Sequence, residues 1–270
     1  MGVSDEQENF YGPQYARIDS ELAAEIRREV FGHDIGQESW RSAAEQAELA
    51  ELLKLTSESR ALDVACGGGG PSLALADRTG CRIVGVDIEA AGTAHANAMA
   101  AKRNLAHRAT FVAWDCNQRL PFDDQSFDAV LCMDSILHLY DRVAVVTDWG
   151  RLLCRGGRLV FTDPLVVTGP LAKGEIDGRA ALGPHLLFVP PGFNEDVIRA
   201  AGLALIACEN RAAAQAEVAL RWHDARLRRQ TLLRRDEGDW FEPRQVMLKT
   251  TAELAASRKL SRFLYVAEKA

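Results

Sequence analysis

The chain has 270 residues, enough for one large domain or two small ones, with 47% hydrophobic and 26% charged residues, the composition of a globular protein rather than a disordered tail. Its 32 Lys and Arg against 38 Asp and Glu leave a net charge of −6, which repels a phosphate backbone unless a local basic patch outweighs it. No stretch approaches the ~18 uninterrupted apolar residues of a membrane span, and the acidic start Met1-Gly2-Val3-Ser4-Asp5-Glu6 has no signal-peptide core, so a cytoplasmic protein is expected. Six cysteines lie far apart without a Cys-x-x-Cys pair, so neither a metal site nor a disulfide framework is expected.

The N-terminal residues, 1–55, read as helical and as a lid over the rest. Asp19-Ser20 can cap a helix that runs to Phe31 and is ended by Gly32. A second helix is expected over 39–54, with Ala43, Ala47, Ala50 and Leu53 on one face. Over 56–270, apolar runs at 61–65, 82–87, 109–114, 127–133 and 157–163 alternate with helical patterns near 71–78, 90–103 and 140–154. Such alternation implies right-handed crossovers and an α/β, doubly wound, mostly parallel sheet. Runs at 203–208 and 263–267 bring it to seven strands, with insertions at 164–191 and 211–258. The first insertion is turn-rich (Gly169-Pro170, Gly183-Pro184, Pro190-Pro191), and its Arg179 and His185 could bind an acid or be solvated.

The most informative stretch is Asp63-Val64-Ala65-Cys66-Gly67-Gly68-Gly69-Gly70-Pro71-Ser72, a strand running through a glycine turn into a helix. Such a turn admits a ligand close to the backbone and aims the free N–H groups of the helix start at it. A dinucleotide site is one reading, since Asp87 lies at the spacing of a ribose-binding acid, but Ser72 occupies the third glycine position of that fingerprint. Asp63, Asp87 and Asp115 fall at the carboxyl ends of three successive strands, where open α/β sheets bind ligands; each could instead cap the following helix.

Together, Asp63-Val64-Ala65-Cys66-Gly67-Gly68-Gly69, Gly85-Val86-Asp87, Asp115, Leu120-Pro121-Phe122, Ser126-Phe127-Asp128-Ala129-Val130 and Arg151-Leu152-Leu153-Cys154-Arg155-Gly156-Gly157 resemble class I S-adenosylmethionine-dependent methyltransferases, small-molecule type. The resemblance covers about residues 60–165 and implies a Rossmann-like methyltransferase fold with S-adenosyl-L-methionine as cofactor. By that resemblance Asp87 accepts both ribose hydroxyls and Asp115 the adenine amino group, with Ile88 and Cys116 alongside. Asp63, Ala65, Gly67 and Met133 are implied around the methionyl part, with Gln37 and Tyr11 from the lid. Ala65 stands where the family usually has glycine, and its methyl is tolerated if φ stays negative.

Asp134-Ser135-Ile136-Leu137-His138 resembles the Asp-x-Ile-Leu-His segment of phosphoethanolamine N-methyltransferases, and also the histidine of natural-product sugar O-methyltransferases, whose partner is an aspartate after the fifth strand, here Asp163. Both point to His138 as general base, oriented by Asp163 or Tyr15, with Asp134 beside it. Met133 replaces the phosphate-contacting arginine of the phosphobase enzymes, which argues against a phosphorylated amine. A small-molecule acceptor follows, nitrogen placed ahead of oxygen or carbon. A methyltransferase fold without methyl transfer and a nicotinamide-linked oxidoreductase are the alternatives.

Residues 221–235 hold Arg221, Arg226, Arg228, Arg229, Arg234 and Arg235. These could bind RNA, but Val218, Trp222, Ala225 and Leu232 recur at helical spacing, so the arginines read as the outward face of an amphipathic helix. No nucleic-acid or membrane partner is expected, and the oligomeric state is left open.

Overall fold

The computed structural model describes residues 12–15, 17–183 and 185–270. Its sheet comprises β1 (Arg60–Val64), β2 (Arg82–Asp87), β3 (Ala109–Ala113), β4 (Phe127–Met133), β5 (Leu153–Val167), β6 (Leu203–Asn210) and β7 (Leu260–Lys269), in spatial order β3-β2-β1-β4-β5-β7-β6. Strands β1 to β5 are parallel, and β7 runs antiparallel to both β5 and β6, giving the seven-stranded, mostly parallel sheet expected. β5 extends beyond the expected 157–163 because β7 pairs along it to Val167, with a register shift between Asp163 and Val166. Pro164, which has no N–H to give a ladder, sits within that irregularity.

Alternation along the strands sends side chains to two layers. Val130 and Cys132 face Val145, Val146, Trp149, Val197 and Ile198. Ala129, Leu131 and Met133 face Leu49, Leu73, Ala96 and Ala100 on the other side. The helices flanking the sheet are α3 (Ala43–Leu52), α4 (Gly70–Thr79), α5 (Ala90–Lys102), α6 (Arg142–Leu152) and α8 (Phe193–Ala200), while α7 (Lys173–Arg179) lies within the 164–191 insertion. Before α3 come the short α1 (Gly12–Tyr15) and α2 (Glu21–Phe31). After β6 come α9 (Ala212–Arg228), α10 (Gln230–Glu237) and α11 (Phe241–Ala256).

Local chemistry sets the helix starts. The Ser20 hydroxyl accepts from the Ala23 N–H, and Gly32 ends α2 in the left-handed region at φ 80°. The second helix begins at Ala43 rather than 39 because Ser42 and Glu45 form a reciprocal capping box. Asp141 accepts from the Ala144 N–H and so starts α6 two residues later than the periodicity suggests. The residues grouped as a lid divide: α3 packs on the sheet, whereas α2 and Trp40 pack on Val218, Trp222, Ala225 and Leu248 of the C-terminal helices.

The turn after β1 departs from expectation. Ala65 takes φ +56°, in the left-handed region, so its β-carbon is carried at a strain of roughly 1–2 kcal/mol. Ala65→Gly should therefore raise stability, by about 0.5–1 kcal/mol once the glycine's extra unfolded-state entropy is subtracted. The urea midpoint of the variant measures the difference, and a lowered midpoint contradicts the strain.

Candidate active site

A cleft of about 320 Å³ opens at the carboxyl ends of β1, β2 and β4. One end is lined by Ala65, Asp87, Ile88, Asp115, Cys116 and Met133; Tyr15, Glu38, Ser39 and Trp40 also line it. The other end runs past His138 to Arg179, Leu186, Trp222, Arg244 and Met247. Residues from the sequence ends and the 164–191 insertion thus converge on the strand tips.

At the first end the Asp87 carboxylate accepts from the Gly67 N–H at 2.7 Å and from the Glu89 N–H at 2.9 Å, one bond to each oxygen. The Ile88 N–H also faces this carboxylate, so three backbone donors fix it where it lines the cleft. Burial raises its pKa above the usual carboxylate range, against those backbone donors. Asp115 accepts from the Asn117 N–H at 2.9 Å and is half-buried beside it. Gly67, at φ +56°, leaves the space that a β-carbon would take from the Tyr15 hydroxyl, 2.7 Å away. Tyr15 therefore stands over the glycine turn. Burial pushes the Cys116 thiol up to about 12, so it lines the cleft as an inert, neutral group.

Several expected site residues are used elsewhere. Asp63 is buried beneath the turn, hydrogen-bonded by the Ser72 hydroxyl, and does not line the cleft; burial raises its pKa to about 6. Ser72, which spoiled the dinucleotide fingerprint, is thus the partner of Asp63. Gln37 does not line the cleft either: its side chain accepts from the Ile35 N–H at 2.8 Å and donates to the His33 carbonyl at 3.1 Å, closing its own loop. That loop lies on the glycine turn so closely that a β-carbon at Gly70 would come within 1.8 Å of the Ile35 carbonyl. Tyr11 lies outside the described residues.

His138 ends a 3-10 turn, Ile136–His138, after β4 and faces the cleft. Asp163 is not its hydrogen-bond partner. Its carboxylate, with no exposure, is taken by Arg142, by Asn194 at 2.8 Å and by the Leu165 N–H at 3.0 Å. The His138 ring hydrogen-bonds the His185 backbone instead. Desolvation lowers its pKa to about 4, opposed by that bond and assisted by Arg179, so the charge change lies well below the neutral range expected of a histidine. Asp134, at φ +60°, is likewise committed: it accepts from Arg262 at 2.5 Å, the Thr162 hydroxyl at 2.8 Å and the Trp40 N–H at 3.0 Å.

Sequence reasoning missed the lining residues Glu38, Arg244, Trp222 and Met247, and also the buried Arg41, whose charge faces Asp63 and Asp134. Trp222 and Met247 carried only a helical-periodicity signal, which cannot separate core from cleft. In the basic stretch, Arg226 is buried rather than outward and pairs with Glu237 at 2.5 Å. Leu233, not Leu232, is the buried leucine, since α10 begins a new helical phase after Arg229. Among the described residues no His, Cys, Asp and Glu group could hold a metal ion, and no helix is long and apolar enough to cross a membrane.

Residues 62–161 match a family model described as a methyltransferase domain. The 27-O-demethylrifamycin SV methyltransferase of Amycolatopsis mediterranei (strain S699) is 35% identical over 122 residues, which are 45% of this chain and 44% of that protein. The chain spans about half the length, or less, of the curated relatives it matches. A Haemonchus contortus phosphoethanolamine N-methyltransferase 2, solved with S-adenosyl-L-methionine, superposes with a TM-score of 0.81 at 21% identity, over 99% of this chain and 60% of that one. The [4+2]-cyclase SpnF superposes with a TM-score of 0.74 at 23% identity, over 96% and 95% of the two chains. At such identities the likeness is one of fold.

The depressed His138 pKa has a stability consequence. Between about pH 6.5 and pH 4 the unfolded chain protonates His138 while the folded one does not, so this residue's contribution falls as pH drops through that window. Asp63, with its raised pKa, acts with the opposite sign, and it is common to wild type and variant. Relative to His138→Gln, the wild type should lose stability from pH 6.5 to pH 4 in urea titrations; parallel pH curves would contradict a buried neutral ring.

Proposed function

From residues 62–161, which match a methyltransferase-domain family model, we infer that the protein is an S-adenosyl-L-methionine-dependent methyltransferase whose acceptor is a hydroxyl on a small, largely apolar molecule. The observation that carries this reading is one cleft lined by Asp87 and Asp115 and also by His138.

The first end suits the cofactor. Asp87, fixed by backbone donors at the cleft, would hold the ribose hydroxyls, and Asp115 the adenine amino group, between Ile88 and Cys116. The Ala65 to Gly67 backbone and Met133 would border the methionyl part. When bound, the cofactor supplies a methyl carbon made electrophilic by a sulfonium.

His138, neutral above about pH 4, offers a ring nitrogen to the acceptor's proton. So low a pKa makes it a weak base, which puts its effect toward the lower end of the 10²–10⁴-fold typical of general bases. Alignment of acceptor and methyl within the cleft carries more, on the order of 7–11 kcal/mol. Trp40, Leu137, Leu186, Trp222, Met247 and Leu248 supply the apolar wall that keeps water out.

The preference for a nitrogen acceptor yields to oxygen on charge. Arg179, Arg244 and His138 line the acceptor end, while the carboxylates nearby are engaged: Glu38 by Arg244, Arg27 and Gln14, and Asp134 by Arg262. An ammonium entering there finds the nearby carboxylates already held by arginines. The relatives' names include both a tocopherol O-methyltransferase and a sarcosine/dimethylglycine N-methyltransferase, so the oxygen reading rests on the charge of the cleft.

Release of S-adenosylhomocysteine, followed across apolar alcohols, phenols and small amines, tests it. Turnover with hydroxylated compounds is expected, turnover with cationic amines alone overturns the acceptor assignment, and binding without turnover would assign the fold to another reaction. Asp87→Ala should weaken cofactor binding at least tenfold by calorimetry, by about 1.5–3 kcal/mol. His138→Ala should cut turnover ~10²-fold and leave that affinity intact.

A further inference from the structure

We propose that Arg142 and Asp163 are positioning residues for His138, acting through the 185–189 segment that forms the wall of the cleft beside it. The proposal rests on the reading of His138 as base, but its geometry stands by itself. Arg142 is the first residue of α6, four residues after His138, and neither its side chain nor that of Asp163 has any exposure. One terminal nitrogen of the guanidinium donates to the Asp163 carboxylate and, at 3.0 Å, to the Asn194 side-chain oxygen. The other donates to the Leu187 carbonyl at 3.1 Å. The Leu187 N–H in turn donates to the Leu137 carbonyl at 2.9 Å, and two residues earlier the His185 backbone bonds the His138 ring.

The wall segment is thus stitched to the 3-10 turn at Leu137 and to the end of β5 through Arg142. Only a planar fork reaches both ends of this arrangement, since a lysine ammonium is a single point donor. A buried ion pair gives little net stability over apolar residues of the same volume, so geometry is what this pair contributes. With the segment held, the half-buried ring is fixed where it lines the cleft. The charged and titratable groups around it are Arg179 from α7, Arg244 from α11, Glu38 from the loop before α3, Asp134 at the end of β4 and His185 from the wall itself.

The test compares wild type with Arg142→Lys, which keeps a cation opposite Asp163 but cannot also hold Leu187, and with the double variant Arg142→Met, Asp163→Leu, which replaces the pair by apolar volume. NMR titration of the His138 ring in the protein without acceptor is the first readout. Release of the wall should raise its midpoint from about 4 toward 6.5, while cofactor affinity by calorimetry is unchanged. Turnover should fall at least tenfold through kcat. A folded variant of either kind with the wild-type midpoint and wild-type kcat overturns the proposal. The ring titration needs no turnover, so it decides the positioning role even if methyl transfer itself is not found.

Discussion

A single guanidinium without exposure ties the site to the sheet. Arg262, from the antiparallel strand β7, donates to Asp134 at the end of β4 and to Glu45 in the first turn of α3. Removing such ions from water costs several kcal/mol each, so the arrangement is sustained only because every partner is satisfied. Asp134 meets this by also taking the Thr162 hydroxyl and the Trp40 N–H. Trp40, the tip of β4 and β5 are therefore joined through one carboxylate. It also accounts for the left-handed backbone at Asp134, a conformation held by its surroundings, which sends the chain into the 3-10 turn that carries His138.

A second ionic seam joins the N-terminal helix to the C-terminal ones. Glu38 is its centre, bonded by Gln14, Arg27 and Arg244, while Arg244 reaches Glu237, which holds Arg226. Arg228 and Arg229 close on Glu29 across the same interface. The basic stretch that could be taken for an RNA-binding surface is thereby largely spent on acids of this chain. What covers the cleft is a layer made from both sequence ends, packed around Phe31, Trp40 and Trp222.

How much was legible follows from the range of each interaction. Strand ends are set by local apolar runs, so Asp87, Asp115 and His138 could be placed on the cleft from sequence. The helix start at Ser20 and its end at Gly32 are equally local. By contrast, Asp163 ends the expected run at 157–163 but lies within β5 and faces Arg142 and Asn194, partners that no spacing announces. Asp134 is fixed by a residue 128 positions away. Gln37 is implied as a ligand only by resemblance, and here Gly36 and Gln37 close a loop of their own. Ala65 was misjudged for another reason: periodicity reports which side chains are buried and is silent on the sign of φ.

Charge is distributed unevenly along the cleft, and the proposed reaction gives that a use. Asp87 and Asp115 line the part suited to a cationic ligand, whereas Arg179 acts on His138 and Arg244 is paired with Glu38. Methyl transfer to a neutral hydroxyl carries positive charge from the first end to the second, where it emerges as a proton. His138 can take that proton as it is released, but beside Arg179 and away from water it cannot keep it at neutral pH. A stronger base would hold the proton and stand as an imidazolium against the next acceptor. The low pKa thus trades driving force in one turnover for a ring that is neutral at the start of the following one, and it places the demand of catalysis on the fixed geometry of the wall around it.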